Sequence, residues 1–496
     1  MRRSKLLALT VLSGTGGVCG LGLGLSCLDA SPARAQSAAP PAAASPTTVA
    51  PQLTPELSLQ PQPALPAAVA DNSPARFDDE LGVRGWNLNF PSFGDTLTGD
   101  VGGYRTALAD YGLGFESVNI DFLADNLLNV PKTTNGELSY EGQSLTAFAQ
   151  FTPVMTIDLS RYGIPDGQIL LAATIAASDA PVFISRGAQL YDLNYYQSLF
   201  NNHIQVRIGY ISNEQEYVGI YTAGRIAGSI FGPAAFIPFE LGLSGSTPTA
   251  PGANVTFNFT GNAKRFNDDH PRIYDKIGLQ RSLTPAANDV IGDNIINPTG
   301  FRFTEPGSGV LFIDEVGYRT VVSGVPQTWF RAGGIYNTTE YQNYRTGGKS
   351  TNSGFYVLGD QQIWQPIKSG PARALGLYAG FSVNYAAPDT NVFTQYYEGR
   401  IYAVGLVPGR PRDLGGVTVS YNKFSPAFQN LVNSVAPFTR TFAKSDSTSV
   451  TASYAARLLK GAYLTTALTY TDNPTPIYTY QTGHALVGQI ALTTVF

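Results

Sequence analysis

Side chains able to do covalent chemistry are few and scattered in this 496-residue chain. It has three histidines, His203, His270 and His484. A nucleophile needs a base within reach, and no G-x-S-x-G sequence stands as an elbow between a strand and a helix. Asp268-Asp269-His270 has the donor types for a metal, but it lies in a polar stretch before Pro271 and reads as a loop. Both cysteines, Cys19 and Cys27, fall in the first thirty residues. If that segment is removed, disulfides, zinc-thiolate sites and thiol nucleophiles go with it. No enzyme activity, metal or cofactor is therefore expected. The remaining candidates are polar groups set among apolar neighbours. Arg207 alternates with Val206 and Ile208, Arg331 with Phe330 and Ala332, and Arg457 opposes Val450, Ala452 and Tyr454. Asp314 and Glu315 are adjacent, so an extended chain sends them to opposite sides, and Glu315 is expected inside. Asp360 and Gln362 share a side with Tyr356 and Trp364. Groups of this kind replace part of a polar solute's hydration without transforming it.

The elements that carry these residues are strands with period-two alternation. In Val450–Leu458, Val450, Ala452, Tyr454, Ala456 and Leu458 oppose Thr451, Ser453, Ala455 and Arg457. In Leu377–Tyr385, Leu377, Ala379, Phe381, Val383 and Tyr385 oppose Tyr378, Gly380, Ser382 and Asn384. Ile204, Val206, Ile208 and Tyr210 behave likewise, as do Val417, Val419 and Tyr421. Several segments reach the roughly nine to eleven residues a tilted strand needs to cross a bilayer, against five or six in globular sheets. Tyr463 and Tyr470 mark segment ends, where an aromatic girdle meets headgroups. About sixteen such segments can be counted, least distinctly between Glu216 and Gly300. Asn473-Pro474, Pro388-Asp389 and Lys460-Gly461 read as breakers, and Asn337–Ser353 and Tyr421–Ser449 as long loops. The last alternating segment, Leu486 to Phe496, ends on a phenylalanine.

Composition agrees with a wall wetted on one side and oiled on the other. Charged residues are 14% and aromatics 11%, while the mean hydropathy is -0.04 because alternation averages out. A net charge of -4 without a basic run past the N-terminus gives no footprint for nucleic acid. Arg2, Arg3 and Lys5, an apolar stretch to Leu25 and Ala33-Arg34-Ala35 form a secretory signal with cleavage expected before Gln36. Past residue 35 no apolar run is long enough for a membrane helix. Residues from Gln36 to about Pro74 are Ala/Pro-rich and read as an extended or disordered periplasmic tether. The expected organisation is a signal peptide over 1–35, a linker over 36–98 and a β-barrel over 99–496.

From about Gly99 to Phe496 the sequence resembles the OprB family of carbohydrate-selective porins. Gly99-Asp100-Val101-Gly102-Gly103-Tyr104-Arg105 resembles the family's opening GDWGG-x-R motif and short helix, with Val101 in place of tryptophan. Leu190-Tyr191, Tyr195-Tyr196-Gln197 and Val206-Arg207-Ile208-Gly209 are similar to its second-quarter strands. Gly300-Phe301-Arg302, Leu311 to Arg319, Asp360-Gln361-Gln362 with Trp364, and Gly405 to Pro411 follow in the family's order. Residues 211 to 300 match poorly. The resemblance implies a monomeric all-β barrel of about sixteen antiparallel strands in the outer membrane, passing sugars and other small hydrophilic solutes. A terminal Phe496 is similar to the signal read by barrel-assembly machinery. Arg207, Arg331, Arg457, Glu315, Asp360 and Gln362 are then candidate pore-lining, solute-binding residues, whose mixed charges set a transverse field. A general diffusion pore and an outer-membrane barrel hydrolase are the alternatives. A secreted β-rich adhesin would show a short regular repeat, and none is found.

Overall fold

A strand that is apolar on one side and polar on the other survives in lipid only if every backbone group is paired, which requires a closed ring. The computed structural model describes residues 74–86, 92–128, 138, 140–179, 187–219, 235–245, 248–260, 271–284, 293, 296–322, 324–478 and 483–496. The expected signal peptide, most of the linker and Asp268-Asp269-His270 lie outside these residues.

Sixteen antiparallel strands close a barrel, each paired with its sequence neighbour. The first eight are β1 (Leu113–Asn126), β2 (Thr146–Asp158), β3 (Gly167–Ser178), β4 (Gly187–Leu199), β5 (Ile204–Ile211), β6 (Ala250–Asn258), β7 (Arg272–Arg281) and β8 (Val310–Val322). The rest are β9 (Val325–Gln342), β10 (Lys349–Trp364), β11 (Gly376–Ala386), β12 (Phe393–Val404), β13 (Leu414–Phe424), β14 (Asp446–Leu459), β15 (Ala462–Asp472) and β16 (His484–Val495). β16 seals the ring against β1, in register from Val118 opposite Val495 to Asn126 opposite Val487. Outward positions carry exposed apolar side chains such as Ile208, Phe312, Val316, Phe381, Ile401, Val419 and Ile490. Both barrel ends lie at one rim, where the turns 200–203 and 460–461 are short. The longer connections 212–249 and 425–445 cross the opposite rim, the outer-face pattern of such barrels.

Three boundaries differ from the sequence reading. The loop expected over Asn337–Ser353 shrinks to 343–348, because β9 and β10 overshoot the bilayer and keep their inner faces packed, with Asn337 and Asn352 buried. The loop expected over Tyr421–Ser449 contains a helix, Pro426–Thr439, capped by Ser425, whose hydroxyl accepts from the Phe428 amide at 3.1 Å. Folded chain begins inside the stretch read as linker, with α1 (Pro74–Leu81) and a 3-10 turn at Phe93–Asp95.

The expected short helix is α2 (Tyr104–Ala109). Asp100 caps it, accepting from the Arg105 amide at 2.8 Å and the Thr106 hydroxyl at 2.5 Å. Arg105 then donates to the carbonyls of Gly99 and Phe115, both at 2.6 Å, tying the opening motif to β1. Val101, at the motif's tryptophan position, is 73% exposed, so the missing indole leaves no hole in the core.

Candidate functional site

Three inward glycines make the interior possible. A Cβ on Gly317 would collide with the Tyr274 ring, one on Gly333 with the Tyr356 ring, and one on Gly278 with the Tyr217 hydroxyl and Asn254. Bare backbone lets those rings lie flat against the wall. The Tyr274 and Tyr356 hydroxyls therefore converge on Glu315, donating to its two oxygens at 2.9 and 2.8 Å.

Over this wall lies the start of the β5–β6 connection, folded inward. Its Asn213 and Glu216 side chains both accept from the Asn254 amide, and its Tyr217 and Gly219 carbonyls accept from Arg331. Glu216 pairs with Arg207 at 2.8 Å and stands 3.8 Å from Lys276, whose ammonium donates to the Glu216 carbonyl at 2.8 Å. Arg331 lies 3.8 Å over the Trp329 ring and 3.9 Å from Glu315. The far end of the connection is latched separately at α3 (Ile237–Glu240). Glu240 accepts from the Val392 and Phe393 amides, and Asn337 donates to the Leu241 carbonyl at 2.7 Å. The turn passes through Gly242 at φ 91°, where a Cβ would come 2.6 Å from the Tyr341 hydroxyl.

The structure thus joins some sequence candidates and separates others. Arg207, Arg331 and Glu315 share one buried charge network, with exposures of 2%, 4% and 0%. Asp314 points outward, as alternation demands. Asp360 belongs to a second network: Arg400 donates to it at 2.5 Å and to Glu398 at 2.6 Å, and the Tyr402 hydroxyl adds a bond at 3.1 Å. Gln362 sits near the terminal rim, donating to the Arg373 and Leu375 carbonyls, and Trp364 lies beyond a register shift with 53% exposure. Arg457 is farther off, at the same rim, bonded to Asp95 of the N-terminal 3-10 turn.

Other inward residues were not singled out from sequence. Lys276, Glu398 and Arg400 sit on the polar side of β7 and β12, and period-two reading of those segments would have found them. More consequential is the wall formed by β13, β14, β15 and β16. Its inward Thr418, Ser420, Asn422, Ser449, Thr451, Ser453 and Gln489 are partly exposed. Cross-strand bonds Ser449–Thr471 and Thr451–Thr469, both 3.0 Å, and Thr469 to Gln489 at 3.1 Å link them. The open side of the lumen is thus lined by neutral hydroxyl and amide groups, facing a half in which charges are buried and paired.

A profile of the carbohydrate-selective porin, OprB family, matches residues 141–496. The chain belongs to the OprB family. Two solved structures of Pseudomonas putida OprB share the fold. The high-pH form has 16% identity and a TM-score of 0.64, covering 84% of this chain and 99% of that one. The low-pH form has 17% identity and a TM-score of 0.50, covering 82% and 100%. No curated protein sequence matches the chain significantly. As an OprB-family porin the protein is an outer-membrane diffusion channel of Gram-negative bacteria, a class of channels and not of enzymes. Of the described histidines, His203 is bonded to the Asn258 carbonyl at 2.9 Å and His484 lies at the opposite rim beside Asp472. Among the described residues no group of three or more His, Cys, Asp or Glu is placed to hold a metal ion.

Proposed function

We propose that this OprB-family channel passes sugars along the hydroxyl wall of β13 to β16, and that the buried charges serve to fix the opposite side. The carrying observation is the partly exposed ladder of Ser449, Thr451, Ser453, Thr418, Ser420, Asn422 and Gln489. Neutral donors and acceptors exchange readily with sugar hydroxyls and give an ion no strong preference. Arg207, Arg331 and Glu315 act at one remove, holding the inward connection whose surface narrows the lumen. Asp360 and Gln362, and Arg457 at the terminal rim, are partly exposed and are the sequence candidates left within reach of solute.

The same reading takes the protein as a monomer, exported through the signal over 1–35, with Phe496 as the mark for barrel assembly. In support of the last, Phe496 extends β16 by exchanging backbone bonds with Ser117 at 2.9 and 3.0 Å. Planar-bilayer conductance titrated with a panel of sugars tests the function. Concentration-dependent block by sugars with weak ion selectivity is expected. Channels that no sugar blocks would make the protein a general diffusion pore instead.

A further inference from the structure

The stretch 81–86, in the region expected to be linker, lies against the inner wall of β2 to β5. The Thr156 hydroxyl donates to the Leu81 carbonyl at 2.5 Å. The Gln168 amide grips the chain twice, donating to the Gly82 carbonyl at 3.1 Å and accepting from the Arg84 amide at 3.0 Å. Trp86, 1% exposed, wedges among Val154, Leu170, Ala172 and Tyr191, its ring edge-on to the tyrosine at 5.6 Å. Arg207 donates to the Arg84 carbonyl on one side and pairs with Glu216 on the other. Gly85 has φ 88°, and a Cβ there would run into the Arg207 guanidinium. Glycine is thus required twice, by the backbone and by the arginine.

We propose that residues 81–86 are a pore element: a strap that narrows the lumen and positions Arg207, and through it the inward connection at Glu216. The constriction then has two chain segments, one from each side, joined at one guanidinium. A tether that only connected the barrel to something else would gain nothing from a buried tryptophan and a two-pronged glutamine. The inference rests on the channel reading above. Arg84, Gly85 and Trp86 are positioning residues, acting on solute through the space they fill and the arginine they hold.

Gly85→Ala and Trp86→Ala in the full mature chain, refolded in detergent and inserted in planar bilayers, test the strap. An extended chain is roughly 5 Å by 10 Å in section, so its release should raise single-channel conductance on the order of twofold and admit larger polyethylene glycols. Sugar block should weaken in both variants, with heat-modifiable migration showing an intact barrel. If Trp86→Ala fails to fold, Gln168→Ala removes the grip without touching the tryptophan pocket and reads the same quantity. Folded variants with wild-type conductance and polymer cut-off would overturn the strap while leaving the channel reading intact. A wild-type protein that forms no channel would overturn the channel reading instead.

Discussion

Asp95 concentrates the contacts that hold the N-terminal segment to the terminal rim. It is 3% exposed and accepts from Arg412 Nη1 at 2.6 Å, Arg457 Nε at 3.1 Å and the Tyr463 hydroxyl. Asp95→Asn preserves shape but removes the charge and one acceptor. A hydrogen bond to a charged group contributes about 1.5–3 kcal/mol. The Arg412 and Arg457 side chains are 48% and 25% exposed, however, so both rehydrate when released, and the net loss should be about 2 kcal/mol. Local opening of the 3-10 turn should then be about 30-fold more frequent. Hydrogen exchange at the Asp95 and Leu97 amides, bonded to the Ser92 and Val495 carbonyls, reads that opening after correction for intrinsic rates. Burial alone would raise the Asp95 carboxyl, but the bonds from Tyr463 and Arg457 and the charges of Arg412 and Arg457 outweigh it and hold it below the ordinary range. A depressed folded value means the stabilisation is complete above the unfolded carboxyl range near about 4 and is lost as pH falls through the folded value. Wild-type exchange should therefore rise toward the variant's in acid, while Asp95→Asn stays flat. Equal protection in the two proteins at neutral pH would refute the reasoning.

Other substitutions probe the lumen and the outer rim. Arg207→Ala leaves the buried Glu216 carboxylate with only Asn254 and the more distant Lys276 and should cost about 3 kcal/mol, leaving a folded barrel with altered conductance and sugar block in bilayers. Gly242→Ala forces a side chain against Ser282, Asn337 and Tyr341 and should unlatch α3, seen as increased open-channel noise. Thr451→Val removes a partly exposed hydroxyl from the open wall without changing volume and should weaken sugar block while conductance holds. Glu305, in the connection after β7, is pushed up to about 8, chiefly by burial and then by the neighbouring Asp293 carboxyl, against Arg281. Its contribution is full below the unfolded carboxyl range and lost as pH rises through about 8. Proteolysis of residues 296–309 should accelerate there, and Glu305→Gln should abolish the dependence.

Alternation made the barrel legible because it is a one-dimensional consequence of facing two solvents. Val450–Leu458 and Leu377–Tyr385 could be assigned residue by residue, and the side taken by Glu315 against Asp314 followed from parity alone. Parity says only that a residue points inward. It does not say whether water or protein meets it there. Arg207 and Thr451 are equally inward by pattern, yet one is sealed under the β5–β6 connection and the other faces the open lumen. That difference is set by where a connection with no periodicity of its own comes to rest, and the stretch from Glu216 to Gly300 was the least readable by alternation. The strap was hidden for a related reason. Proline-rich composition upstream coloured the reading as far as residue 98, although the large aromatics Phe77, Trp86 and Phe93, absent from the proline-rich part, were a local sign of an anchored segment.

The seam between β1 and β16 has a bearing on how the molecule is made. Each other strand finds its partner next along the chain, but β1 waits, one edge of its ladder open, until the final dozen residues are available. Until then any intermediate exposes two raw edges in a greasy sheet, a state that would recruit other unfinished sheets. Loss of even the last strand should therefore yield aggregates and not a smaller channel, because a fifteen-stranded remnant has nothing with which to shut itself.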